Sequence, residues 1–122
     1  MYPPIFATVS ADAGVTALLG SVPNCRFFLF GQAPQGVTKP YAVWRQISGR
    51  PENYLGKVPD IDQFGIQVDV YADSASGARA VAEALRDAIE PVAHITFWRG
   101  DSTDPETKNK VFTFEVDWFV NR

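Results

Sequence analysis

From Ile61 to Tyr71 the chain alternates, with Phe64, Ile66, Val68 and Val70 at even positions and Gln63, Gly65, Gln67 and Asp69 at odd ones. A period of two sends the two sets to opposite faces of an extended chain, which predicts a half-buried strand. Val111 to Val120 repeats the pattern, Phe112, Phe114, Val116, Trp118 and Val120 alternating with Thr113, Glu115 and Asp117. Between these segments the period changes. After a capping Asp73 or Ser74, the residues Ala78, Val81, Ala82, Leu85, Ala88 and Ile89 fall on one stripe of a helix, with Arg79, Glu83, Arg86, Asp87 and Glu90 left to water and Pro91 as the stop.

The remaining elements are shorter. Pro3 and Pro4 suit the first turn of a helix that carries Ile5, Phe6 and Val9. Ser10 or Asp12 caps a second set of turns with Val15, Leu18 and Leu19 on one side, Gly14 interrupting and Gly20 ending it. Cys25 to Phe30 is aromatic and short, which predicts a buried strand, and Gly31 to Lys39 is a loop. Tyr41 to Ser48 predicts a strand with Tyr41, Val43 and Ile47 facing one way and Trp44 the other. Gly49 to Pro59 is an irregular excursion, and Val92 to Arg99 is a strand joined to the last one by the turn-rich Gly100 to Thr107. The expectation is an α+β fold in which a single antiparallel or mixed sheet of about five strands carries two helices on one face, in the order α-β-β-β-α-β-β. Residues 1–122 are expected to form a single domain.

Composition narrows the chemistry. The 122 residues are 46% hydrophobic and 20% charged, which matches a folded domain, and the net charge of -3 is the wrong sign for coating nucleic acid. No apolar run approaches the ~20 residues of a membrane helix, so the expectation is a soluble protein without a membrane partner. A lone cysteine, Cys25, and a lone histidine, His94, supply neither an internal disulfide nor a zinc set. His94 is also the single imidazole available as a base to Cys25 or to any serine, and packing or surface roles account for both residues better than catalysis does. The carboxylates Asp60 and Asp62, Asp69 and Asp73, and Asp101 and Asp104 lie close in sequence without a calcium-loop pattern, and no phosphate-cradling glycine motif occurs. The expectation is no enzyme, no metal and no cofactor. What is left is a surface for other proteins: apolar strand faces, sheet edges, and an arm carrying Tyr54 and Leu55.

The order of segments Pro3-Pro4-Ile5-Phe6, Ala11 to Gly20, Phe30 to Gly36, Pro40 to Trp44, Pro51 to Leu55 and Gln67 to Ala72 resembles the tail-completion family of tailed bacteriophages and prophages. The resemblance spans nearly the whole chain and contains no catalytic motif. It implies an α+β virion protein of the tail-terminator type, assembled in the bacterial host cytoplasm. Such proteins commonly form a homo-oligomeric ring of six copies on the head-proximal end of the tail tube, where the ring stops tube growth and meets the head-tail connector protein. Within that frame, the polar strand faces bearing Gln63, Gln67, Asp69, Glu115 and Asp117 are expected to line the channel through which DNA passes. Pro51, Glu52, Asn53, Tyr54 and Leu55 of the arm, and Asp101, Asp104 and Thr107 of the last hairpin, are expected to make intersubunit or tube contacts. Two alternatives stand beside this: a head-tail adaptor or stopper, and a small-ligand-binding α+β module.

Overall fold

Five strands hydrogen-bond into one mixed sheet in the order β1-β2-β3-β5-β4, and three helices cover one of its faces. The computed structural model describes residues 1–53, 55–56 and 58–122. In chain order the elements are α1 (Ile5–Ser10), α2 (Ala13–Leu19), β1 (Phe27–Leu29), β2 (Tyr41–Pro51), β3 (Ile61–Ala72), α3 (Ala75–Ile89), β4 (His94–Thr103) and β5 (Lys110–Asn121). This is the expected α+β class with one more helix. Asp12 adopts extended backbone and its Oδ1 accepts the Val15 amide at 3.1 Å, so it begins a new helix instead of continuing the first.

The alternating segments behave as their period requires. Phe64, Ile66, Val68 and Val70 of β3 and Phe112, Phe114, Val116 and Trp118 of β5 are buried, and the two strands pair antiparallel from Ile61↔Asn121 to Ala72↔Lys110. Against them lies the apolar stripe of α3, with Val81, Leu85 and Ile89 almost wholly excluded from water. The Ser74 hydroxyl accepts the Gly77 amide at 3.0 Å and caps α3, so of the two predicted caps it is Ser74 that serves. Ile5, Val9, Val15 and Leu19 complete the same core from the N-terminal helices.

Several boundaries move, each for a local reason. β1 shrinks to three residues and runs parallel to β2, pairing Phe27↔Ala42 to Leu29↔Trp44. Ahead of it, Arg26 is occupied elsewhere: its amide and its guanidinium donate to Leu19 O and Leu18 O, the orphan carbonyls at the end of α2, and its Nε donates to Pro40 O. β2 extends to Pro51, so Gly49, Arg50 and Pro51, read as part of an irregular excursion, belong to the sheet and pair with Phe64, Gln63 and Asp62. The extension needs a bulge between Gln46 and Ser48, which leaves Ile47 opposite no residue of β3 and lets the Ser48 hydroxyl lie over Gly65, where a Cβ would collide with it. Ahead of the bulge, Tyr41 and Val43 lie on one face and Trp44 on the buried one, as the alternation predicts. β4 starts at His94 because the Val92 and Ala93 amides still donate to Ile89 O. It ends at Thr103, so Gly100 to Thr103, predicted as turn, is strand opposite Lys110 to Thr113.

Candidate functional site

A sheet covered by helices on one face has three kinds of surface left for partners: its open face, its two edges, and the loops at its two ends. The open face collects the odd positions of β3 and β5. Here Gln63 Nε2 donates to Asp117 Oδ1 at 3.0 Å, Thr113 Oγ1 donates to Asp69 Oδ1 at 2.7 Å, and Gln67 Nε2 donates to Asp69 at 3.2 Å. Glu115 is ion-paired with Arg99. The five residues predicted to line a channel, Gln63, Gln67, Asp69, Glu115 and Asp117, therefore share one face, where Gln63 bonds Asp117 and Gln67 bonds Asp69. The alternation of β3 and β5 did not reveal the basic side of this face. Arg45 pairs across from Gln67 and Arg50 from Gln63, and both come from β2, while Arg99 comes from a bulge in β4. Three carboxylates and three guanidiniums leave this face electrically balanced. An aromatic margin adjoins it, with Phe97 under the Arg99 guanidinium at 5.4 Å and Phe119 beside the His94 ring at 6.3 Å.

The two predicted contact loops lie at opposite ends of the strands. The arm leaves β2 at Pro51 and returns at Ile61, beside Asn121. Glu52 is tied to the sheet through its amide, which donates to Ile61 O at 2.9 Å, and its carboxylate lies 3.5 Å from Arg50. Asn53 is exposed and Leu55 fully so, while Tyr54 lies outside the described residues. Arg122 braces the arm's base, both Nη2 and Nε meeting the Asp62 carboxylate (2.9 and 3.0 Å) and Nη1 donating to Pro59 O. Hydrogen bonding from Arg122 holds Asp62 below the usual carboxylate range.

The other end holds the turn between β4 and β5. Asp104 Oδ1 accepts the Glu106 amide at 3.0 Å, which keeps its pKa low, and Thr107 Oγ1 accepts the Asn109 amide. Asn109 is buried and accepts from Lys39 Nζ at 2.9 Å, and Lys39 also pairs with Asp73. These bonds stitch the turn to the Gly31–Lys39 loop and to the start of α3. Asp101 is not part of this tip. It sits in β4, on the helix side of the sheet, ion-paired with Arg79 of α3. With twelve residues in β3 at ~3.3 Å each, arm and tip are separated by roughly 40 Å.

Cys25 is buried beside β1, and burial pushes its thiol up, which makes it unreactive; His94 is in β4, at the opposite edge of the sheet. Among the described residues no three His, Cys, Asp or Glu side chains form a metal-binding group. A shallow cleft of about 290 Å³ lies between α3 and β4, with Trp98 and Phe112 on its floor and Arg79, Glu83 and Arg86 around it. Its guanidinium Arg79 lies 5.0 Å over the Phe112 ring.

Residues 3–121 match the family model described as "Tail completion protein gp17". No curated protein matches the chain. Among solved structures, the fold is similar to a chain of the virion of the native gene transfer agent particle, with a TM-score of 0.71 and 15% identity over 97% of this chain and 92% of that one. It is also similar to the bacteriophage SPP1 gp17 protein, with a TM-score of 0.58 and 12% identity over 97% of this chain and 86% of that one.

Proposed function

This chain belongs to the tail completion protein gp17 family, and from that premise we propose that it works as a tail terminator, a ring of identical subunits on the head-proximal end of a phage-type tail tube. The observation that carries the proposal is the separation of surfaces. One loop group stands at each end of a stiff sheet roughly 40 Å long, so a subunit set upright in a ring offers one end to the tube and the other to the head-side connector. The arm, with its exposed Leu55, is the tube-facing end. The tip around Asp104 and Thr107 is the connector-facing end, and Asp101 is reassigned to holding β4 against α3.

Termination requires no reaction. A subunit that docks on the last tube ring without presenting another tube-like end makes further stacking unfavourable, and every 1.4 kcal/mol of that difference is about tenfold in occupancy. The helices then form the outside of the ring and the open sheet face looks inward. Glu115 pairs with Arg99, while Asp69 and Asp117 are held by Thr113, Gln67 and Gln63, so the face carries no excess positive charge for passing DNA to grip. Assembly of this kind takes place in the host cell before the particle is complete.

The test is to mix the purified protein with assembled tail tubes and, separately, with filled heads, and to image both by negative stain. The wild type is expected to cap tubes as a ring. A variant lacking residues 52–56 is expected to keep its melting transition and lose tube capping. Unimpaired capping by that variant removes the arm from the mechanism, whereas rings on heads and none on tubes establish the adaptor role instead.

A further inference from the structure

We propose that copies of this chain join edge to edge, the β4 edge of one subunit accepting the Arg45–Pro51 stretch of β2 from the next in an antiparallel ladder. The inference rests on the ring reading above and supplies its lateral contact. Both edges are available. β1 covers β2 only from Ala42 to Trp44, and the seven residues beyond, Arg45–Pro51, are all exposed. β4 has β5 on one side and, among the described residues, no strand on the other.

Two features make these two edges partners. The first is direction. β2, β3, β5 and β4 alternate in sense across the sheet, so β2 and β4 run opposite ways. A rotation about an axis roughly parallel to the strands preserves each strand's sense, and it therefore sets β4 beside a neighbouring β2 in antiparallel orientation. The second is side-chain chemistry. Edge strands standing in water are normally protected by charge, yet consecutive residues Phe97 and Trp98 point to opposite faces of β4 while 53% and 47% exposed. A further strand covers both, and the opposing β2 stretch brings Ile47, itself exposed at its bulge.

Both edges are irregular: β4 has register shifts at Ile95/Phe97 and Trp98/Gly100, and β2 has its own at Ile47. Because the two edges belong to opposite sides of one molecule, the contact is heterologous, and it propagates until rotation closes it.

The test places cysteines at Ile47→Cys and at Thr96→Cys, an exposed position in the β4 register shift between Ile95 and Phe97, singly and together, and treats the protein with a flexible bis-maleimide, alone and with tail tubes present. Cys25 is buried and serves as the wild-type background. The double variant is expected to give a ladder of covalent multimers in denaturing gels, with neither single variant doing so. Dimers from Thr96→Cys alone mean a β4-to-β4 contact and overturn the inference. Rings of the double variant seen by negative stain without a covalent ladder overturn it too, while leaving the ring itself standing. Absence of rings both with and without tubes overturns the ring reading and this inference together. Should Ile47→Cys fail to fold, Ser48→Cys on the same exposed stretch replaces it.

Discussion

Neutralising the three carboxylates of the open sheet face, by Asp69→Asn, Glu115→Gln and Asp117→Asn, removes three negative charges from a surface that carries Arg45, Arg50 and Arg99, of which Arg50 alone keeps a carboxylate partner, Glu52. The fold should tolerate the change. Amide oxygens at positions 69 and 117 still accept from Thr113 Oγ1 and Gln63 Nε2, and the ion pair lost at position 115 involves an arginine that is half exposed, which limits its cost to about 1 kcal/mol. The consequence for DNA is larger. A guanidinium roughly 10 Å from a phosphate gains about 0.4 kcal/mol in water, and screening at physiological salt leaves about a third of that. Three such charges give about 0.4 kcal/mol per subunit and phosphate, and several subunits acting on several phosphates reach a few kcal/mol, roughly a hundredfold in affinity. Rings of the variant should therefore bind a short labelled duplex at low salt, where wild-type rings do not. The log–log salt slope should steepen by ~0.9 for each phosphate newly engaged, and ejection of DNA from variant particles should slow. Intact variant rings with wild-type DNA affinity and ejection at every salt concentration refute the placement of this face toward the channel.

Other expectations concern the scaffold. Leu85→Ala removes a side chain fully excluded from water between α3 and the sheet, and urea unfolding should report a loss of about 2–5 kcal/mol with an unchanged m-value. Ser74→Ala withdraws the acceptor of the Gly77 amide and should cost about 1 kcal/mol in the same assay, with Ser74→Asp restoring most of it. Tyr71 stacks on Tyr41 at 4.9 Å, and burial pushes its phenol up to about 12. The unfolded chain ionises it from about 10, so its contribution to stability is complete below that pH and disappears as pH rises through about 12. Tyrosinate absorbance should show this late titration coincide with loss of the folded signal, and Tyr71→Phe should remove that step.

The fold was legible wherever one periodicity ran long enough to assign a face. β3 and β5 are the clearest cases, because every second residue is apolar over nine positions in each, Phe64 to Ala72 and Phe112 to Val120, and α3 follows because its stripe is framed by Ser74 and Pro91. The five polar residues of the open face were legible for the same reason. Boundaries governed by single hydrogen bonds were not: Asp12 dividing α1 from α2, Arg26 delaying β1, and the Ile89 carbonyl holding back β4 all depend on partners distant in the chain or on a choice among equivalent local ones.

The candidate surfaces divide along the same line. Local sequence determined which residues are apolar, which alternate, and that Glu52–Asn53 and Asp104 to Thr107 are loop or turn rather than core. Tertiary structure alone decided that these turns lie at opposite ends of the sheet, that Asp101 faces α3, and that Arg45, Arg50 and Arg99 balance the acids of the open face. It also decided which strands became edges. The physical reason is that side-chain period is a property of one strand, whereas strand order, register and bulges are set by which backbone groups find partners, and those partners are supplied by the rest of the chain.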